Sequence, residues 1–379
     1  MTKFAFIATN ESGPWGGSEF LWGQAGERLA QQGAKVLVST IPWPEPVKQV
    51  EHLSSTGCQI FYRRPPALSS RIARKILRRT SYIDEHVRCL TRGVDLVLIS
   101  YSAYFQALPW IDAVRIANVP YAIVVQGASE MPWPTDEEAE KLALGFENAA
   151  CAYFVSEANR KLFRRQLGVP LQKSRVIRNP FRVRYDARVP WPELPPDRLS
   201  LACVARLDVA QKGQDLLIEV LALPHWRRRD IHVALVGDGP NERSVRRMVQ
   251  MEELSKIEVA GYVDDIEGLW AKHHALVLPS RFEGMPIALV EAMLCGRAAI
   301  VTDVAGHRDL VHDGVNGFLA KAPTVEFIDE AMNRAWENRG RLREMGEAAA
   351  ADVRKWVSAD PVAEFVRDLT VLVGNSHPA

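Results

Sequence analysis

The chain has 379 residues, 47 Lys+Arg against 46 Asp+Glu, and 47% hydrophobic residues. That length is long for one core and suits two domains, and no apolar run approaches the ~20 residues that span a bilayer. Five scattered cysteines (Cys58, Cys89, Cys151, Cys203 and Cys295), odd in number and never in C-x-x-C pairs, speak against a disulfide framework or zinc site and predict reduced thiols in a cytosolic protein.

The N-terminus enters a strand at once (FAFIAT, Phe4 to Thr9), with no signal-peptide architecture. Gly16 and Gly17 follow in a loop before a helical stretch from Glu19. Glycines allow close backbone approach, and N–H groups at a helix start face anions, so this loop is a candidate phosphate cradle. The stretch Arg63 to Arg79 holds seven basic residues and no acid. From Ser70 it can form a helix with Ile72, Ala73, Ile76 and Leu77 on one face, suited to an anionic membrane surface or an acidic acceptor, or else simply solvated. YAIVV (Tyr121 to Val125) is a further buried strand, followed by Gln126.

Four prolines crowd Ala187 to Ser200, the best linker in the sequence. Residues 1–190 carry 25 Lys+Arg against 17 Asp+Glu, a balance of +8; the remainder carries 22 against 29, or −7. An acidic second half without a reading module is a poor nucleic-acid binder. Each half alternates strands and helices, the second opening on LSLACVA (Leu199 to Ala205). Two doubly wound α/β domains facing across a cleft follow from this pattern. The expected division is 1–186, a linker over 187–198, 199–355, and a C-terminal stretch 356–379.

In the second half, Arg206 and Lys212 lie in the loop after the first strand, where a parallel sheet binds ligands. They are placed to hold a diphosphate and to neutralise charge as it departs. LVGDGP (Leu235 to Pro240) lacks the third glycine of a dinucleotide fingerprint, Glu242 standing there, and reads as a tight strand-to-helix turn with Gly237 near a nucleotide. HALVLPS (His274 to Ser280) is a short buried strand. After it, Glu283 lies in a loop with Gly284 and Pro286, and Glu291 sits eight positions on in a helix over Ile287 to Leu294 that Gly296 stops. Carboxylates beside a helix start repel a bare phosphate but accept from sugar hydroxyls. A sugar attached to a phosphate fits both features.

The segment Ser280 to Leu319 resembles the E-x7-E signature of the retaining GT-B glycosyltransferases of family four. VARLDVAQKGQDLLIEVL (Val204 to Leu221), LVGDGP and VAGYVDDIEGLWAKHHALVLPS (Val259 to Ser280) resemble that family in the same order, as do GGSE (Gly16 to Glu19), FVSEANRKLF (Phe154 to Phe163) and VIRNPF (Val176 to Phe181). The resemblance implies a GT-B fold in which the C-terminal domain binds a nucleotide sugar, the N-terminal domain binds the acceptor, and the C-terminal helices return to the first domain. It implies that Glu283 accepts from the donor sugar and Glu291 from the ribose, that Met285 and Ile287 offer backbone N–H groups near sugar and phosphates, and that the backbone around Tyr262 and Val263 reads the base. Many family members carry a histidine where this chain has Gln126; glutamine can fill that slot only as a neutral hydrogen-bonding group, so no general acid is assigned. Glu130, close behind, reads first as a solvated loop residue and second as a candidate acceptor base.

The expectation is therefore a cytoplasmic, metal-independent retaining hexosyltransferase using a UDP or GDP sugar. No cofactor is expected. The acceptor would be a glycan, a lipid-linked or a small-molecule hydroxyl, with peripheral contact to the inner face of a membrane through 63–79 as a further possibility. A nucleotide-sugar epimerase of the same fold, or a catalytically idle nucleotide-sugar binder, are the alternatives.

Overall fold

The computed structural model describes all residues except Ser12, 64–78, 102–105, Pro132, Pro196 and 377–379. The basic stretch thus lies outside the described residues apart from its ends. Two compact units are present: Met1–Pro180 with Asp360–Ala379, and Phe181–Ala359. By this division Phe181 to Asp186 belong to the second unit. The chain rejoins the first unit at Asp360 rather than at 356.

The first unit is built on seven parallel strands: β1 (Lys3–Ala8), β2 (Lys35–Thr40), β3 (Gln59–Tyr62), β4 (Leu96–Tyr101), β5 (Tyr121–Val125), β6 (Cys151–Phe154) and β7 (Ser174–Val176), in the order β3-β2-β1-β4-β5-β6-β7. β4 and β5 are buried along their whole length, the near-continuous apolar pattern of strands covered on both faces. One face packs Val97, Ile99, Ile123 and Val125 against Trp110, Ile111 and Phe146. The other packs Phe4, Phe6 and Leu98 against Leu21, Trp22 and Leu29 of the helix Gly17–Gln31, and against Val362, Phe365, Val366 and Leu369. Those last residues recur at helical spacing in the C-terminal helix Pro361–Ser376, so this helix lies in the core of the first unit. Arg28–Asp360 (2.6 Å) and Arg175–Asp368 (3.1 Å) fasten its rim.

Arg63, read from sequence as part of a basic surface, is only 2% exposed. Its guanidinium donates to the Ser39 and Ala8 carbonyls (2.9 and 2.5 Å) and lies 4.7 Å from the Trp110 ring centre. It therefore ties β3 to the ends of β1 and β2 and cannot serve as a surface cation.

The second unit has six parallel strands: β8 (Leu199–Val204), β9 (Ile231–Val236), β10 (Ile257–Gly261), β11 (Ala275–Leu278), β12 (Ala298–Thr302) and β13 (Gly317–Ala320), in the order β10-β9-β8-β11-β12-β13. The proline-rich segment is not a loose tether: Arg297, 2% exposed, donates to the carbonyls of Pro190 (2.5 Å), Trp270 (2.7 Å), His273 (2.9 Å) and Cys295 (2.8 Å), and stacks 5.1 Å from Trp191. Among the described residues no helix is long and apolar enough to cross a membrane.

This corner also contains two histidines, His274 buried and His273 half-buried. His274 Nδ1 accepts from the Ser200 N–H at 3.0 Å, and His273 Nδ1 lies 2.9 Å from Ser200 Oγ. Burial lowers both rings to about 4 from the ordinary 6.5, with Arg297 adding to the effect. A group whose folded pKa is depressed contributes stability that is complete above its unfolded pKa and lost as pH falls toward the folded one. The melting temperature should therefore fall between pH ~6.5 and ~4, and His274→Gln should flatten that slope. A pH series of thermal melts showing the same slope in both proteins would contradict this account.

Candidate active site

The strand order of the second sheet reverses between β8 and β11, which run side by side with Ala275 opposite Leu201. The crevice outside the carboxyl ends of strands at such a reversal is where open α/β sheets bind ligands. The segment leaving β8 carries Arg206 and then Lys212, which ends the short helix Val209–Lys212 rather than lying in a loop, and the loop leaving β11 carries Glu283 with Gly284.

The two loops are stitched together. Gly213 (φ +69°) lies so close to the end of β11 that a Cβ would sit 2.1 Å from the Pro279 carbonyl oxygen, so only glycine lets the first loop close on the second. Arg281 forks onto Asp215 (2.8 and 2.7 Å) and donates to the Val209 carbonyl, while its own N–H donates to the Gln211 carbonyl. This clamp places Lys212 over Glu283: Nζ donates to both carboxylate oxygens, at 2.8 and 2.7 Å, and Ser280 Oγ donates to Oε1 at 2.8 Å. Glu283 is 4% exposed. Stranding one member of so buried a pair costs about 3–5 kcal/mol, whereas the intact pair is stabilised by the extra hydrogen bond from Ser280. Arg206, by contrast, is exposed.

Glu291 is in the helix Ile287–Leu294, whose start at Pro286 has no side-chain cap. It is 1% exposed. Its Oε1 accepts the Arg182 N–H at 2.8 Å, with Arg182 Nε 3.5 Å away. Burial raises its pKa and Arg182 works against that rise. Arg182 in turn donates to the Tyr262 hydroxyl (2.8 Å), and its guanidinium lies 5.7 Å from that ring's centre. Tyr262, 55% exposed, directly follows β10, while Val263 packs with Val204, Ala234, Val236 and Leu269. Met285 is buried and Ile287 half-buried at the helix start. Gly237 (φ +139°) follows β9, and a Cβ there would meet the Ala205 carbonyl at 2.2 Å. Packing of the β9 loop on the β8 loop is thus sufficient reason for that glycine.

In the first unit, Gly16 and Gly17 follow β1, and Gln126 follows β5; these strands flank β4, so both loops leave the same edge of the sheet. The helix begins at Gly17 rather than Glu19. The Gly16 N–H donates to Glu19 Oε2 (2.9 Å), a carboxylate also held by Ser18 (2.7 Å) and Asn10 (3.1 Å), so that donor is already engaged and the expected cradle is one N–H smaller. Gln126 is 7% exposed, and neither its amide nitrogen nor its amide oxygen has a hydrogen-bond partner among the described residues. Such a group is costly to bury unpaired and calls for an explanation. Glu130 is exposed and 3.8 Å from Arg165. Among the described residues no group of three or more His, Cys, Asp or Glu side chains is arranged to hold a metal.

Residues 198–338 match the family Glycosyl transferases group 1. Sucrose-phosphate synthase from Thermosynechococcus elongatus superimposes with a TM-score of 0.77 at 18% identity, covering 100% of both chains. HepE of Anabaena, solved in complex with UDP, superimposes with a TM-score of 0.74 at 19% identity, covering 98% of this chain and 100% of its own. The family match thus lies within the second unit, and the chain has the GT-B fold. Among curated relatives, a glycogen synthase of Pseudomonas savastanoi pv. phaseolicola is 33% identical over 175 residues, 44% of this chain and 36% of its own length. A GDP-mannose-dependent phosphatidylinositol monomannoside mannosyltransferase of Mycolicibacterium smegmatis is 33% identical over 180 residues, 42% of this chain and 45% of its own length. The matched region thus spans less than half the length of these relatives.

Within the second unit, sequence reasoning missed Arg182, Ser280 and the Arg281–Asp215 clamp. Ser280 and Arg281 stand beside Glu283 in SRFEG, but nothing in that string names their partners. Arg182 follows VIRNPF directly, and its link to Glu291 joins residues far apart in the chain, a contact only the fold creates.

Proposed function

We propose that this chain transfers a hexose from a nucleoside diphosphate sugar to an acceptor hydroxyl, with retention and without a metal, in the building of a glycan, polysaccharide or glycolipid. The observation that carries this reading is the Lys212–Glu283 pair at the strand reversal of the second unit. An ammonium group has three donors. Two go to Glu283, which leaves the third for a diphosphate oxygen, with Arg206 on the same loop adding charge. Glu283 then accepts from the sugar hydroxyls and Glu291 from the ribose.

The bond from the anomeric carbon to the phosphate oxygen breaks, the bond to the acceptor oxygen forms on the same face, and the acceptor proton passes to the departing phosphate. Arg206 and Lys212 stabilise the negative charge that develops there. Relatives and neighbours whose names include GDP-mannose or UDP suggest a UDP or GDP sugar. A thermal-shift panel of UDP and GDP sugars should raise the melting temperature with one nucleotide series, and no shift with any member would contradict the donor site. The Gln126 amide, without a partner among the described residues and unable to become charged, favours as a second reading a protein that binds a nucleotide sugar without transferring it.

Membrane contact through the basic stretch would rest on Arg64 to Arg79, since Arg63 is buried. Each cation near an anionic surface contributes about 1 kcal/mol, attenuated by salt. Changing Arg71, Arg74, Lys75 and Arg78 to glutamine should abolish co-sedimentation with anionic vesicles at low salt and leave nucleotide-sugar affinity intact. Wild-type protein that stays in the supernatant removes this contact.

A further inference from the structure

β12 ends at Thr302, and the chain turns through Ala305, a non-glycine residue at φ +45°, into a short helical turn that begins at His307. His307 is 0% exposed. Its Nδ1 lies 2.6 Å from the Thr302 carbonyl oxygen, which can only accept, so Nδ1 carries the proton and Nε2 is a bare acceptor. Nε2 is buried and has no partner among the described residues. A leucine would fill much the same space without stranding an acceptor, so packing alone does not explain a histidine here.

The hydrogen bonds around it lead to the donor site. Thr302 Oγ1 donates to the Ser280 carbonyl at 2.6 Å, Ser280 Oγ donates to Glu283 Oε1 at 2.8 Å, and Lys212 completes the carboxylate's shell. Burial keeps the imidazole neutral, with the Glu283 charge opposing that effect and Lys212 adding to it. A neutral ring adds no second cation to compete with Lys212.

We propose that His307 is a positioning residue for Glu283: by gripping the Thr302 carbonyl it fixes the turn that presents the Thr302 hydroxyl to Ser280, and through Ser280 the orientation of the Glu283 carboxylate. This rests on the reading of Glu283 as the acceptor for the donor sugar and adds a residue that nothing in the E-x7-E motif contains. Retaining histidine at this place, with its stranded nitrogen, sacrifices some stability for a fixed site.

The test uses His307→Leu, His307→Asn and Thr302→Val, alone and combined with Glu283→Gln, in the full chain. His307→Leu should melt at or above the wild-type temperature and lower kcat about tenfold, the scale of weakening one hydrogen bond made by the Glu283 carboxylate it positions, with donor KM within about twofold. His307→Asn, which keeps an N–H toward Thr302, should recover most of the rate. In the Glu283→Gln background His307→Leu should cost nothing further, because its effect runs through the carboxylate. Equal fold-losses in both backgrounds, or a wild-type rate in His307→Leu, would overturn the proposal. If His307→Leu fails to fold, Thr302→Val removes only the hydroxyl and carries the same comparison. The carboxyl carbon resonance of Glu283 gives an answer independent of turnover: His307→Leu and Thr302→Val should both shift it. An unmoved resonance overturns the positioning role even if the wild-type protein transfers no sugar, whereas a shifted resonance with no transfer supports it and counts against the functional reading alone.

Discussion

Arg206→Ala should cut turnover by roughly a hundredfold while leaving the protein about as stable as wild type. A preorganised donor aimed at charge that develops in the transition state is worth about 2.7–4 kcal/mol, and an exposed loop side chain contributes little to folding. Lys212→Ala should lose at least as much turnover and should also lower the melting temperature, because it leaves the buried Glu283 carboxylate without its cation. The contrast separates the two cations: Lys212 is part of a buried ion pair, whereas Arg206 is exposed. Steady-state kinetics beside thermal melts checks it, and equal melting temperatures for the two variants would mean that the Lys212–Glu283 pair does not hold in solution.

The two glutamates should also part company. Glu291→Ala should weaken binding of the nucleoside diphosphate about tenfold or more, since a hydrogen bond to a charged group is worth ~1.5–3 kcal/mol. Glu283→Ala should leave the nucleotide bound and chiefly lower turnover. Titration calorimetry with the nucleoside diphosphate alone, set against kcat, tests the division. If Glu283→Ala loses nucleotide affinity while Glu291→Ala keeps it, the roles are reversed.

The fold was legible because buried parallel strands write themselves as apolar runs: YAIVV is β5 from Tyr121 to Val125, and LSLACVA contains all of β8. The helix Ile287–Leu294 likewise follows from its spacing and from Gly296 beyond it. Contacts between loops were not legible. That Arg281 would fork onto Asp215, or that His307 would reach toward Ser280 through Thr302, depends on which strands lie side by side, and order in a sheet is not order in the chain. Arg63 shows the limit of charge patterning. It heads a run of cations, yet β3 carries it into the sheet end, where carbonyls and the Trp110 ring replace water. Gly16 shows another limit: a glycine pair before a helix suggests a phosphate cradle, but whether an N–H remains for the ligand depends on Glu19, whose side chain takes one first.

The most direct measurement is transfer itself. The wild-type protein is incubated with anomerically labelled UDP and GDP hexoses and an acceptor pool, with and without EDTA, and the anomeric configuration of the product is read by NMR. The account predicts transfer to an acceptor with the donor's configuration retained, undiminished by EDTA and abolished in Lys212→Ala. Inverted product, activity that vanishes with chelation and returns with magnesium or manganese, or a donor that stays bound and unreacted would contradict it.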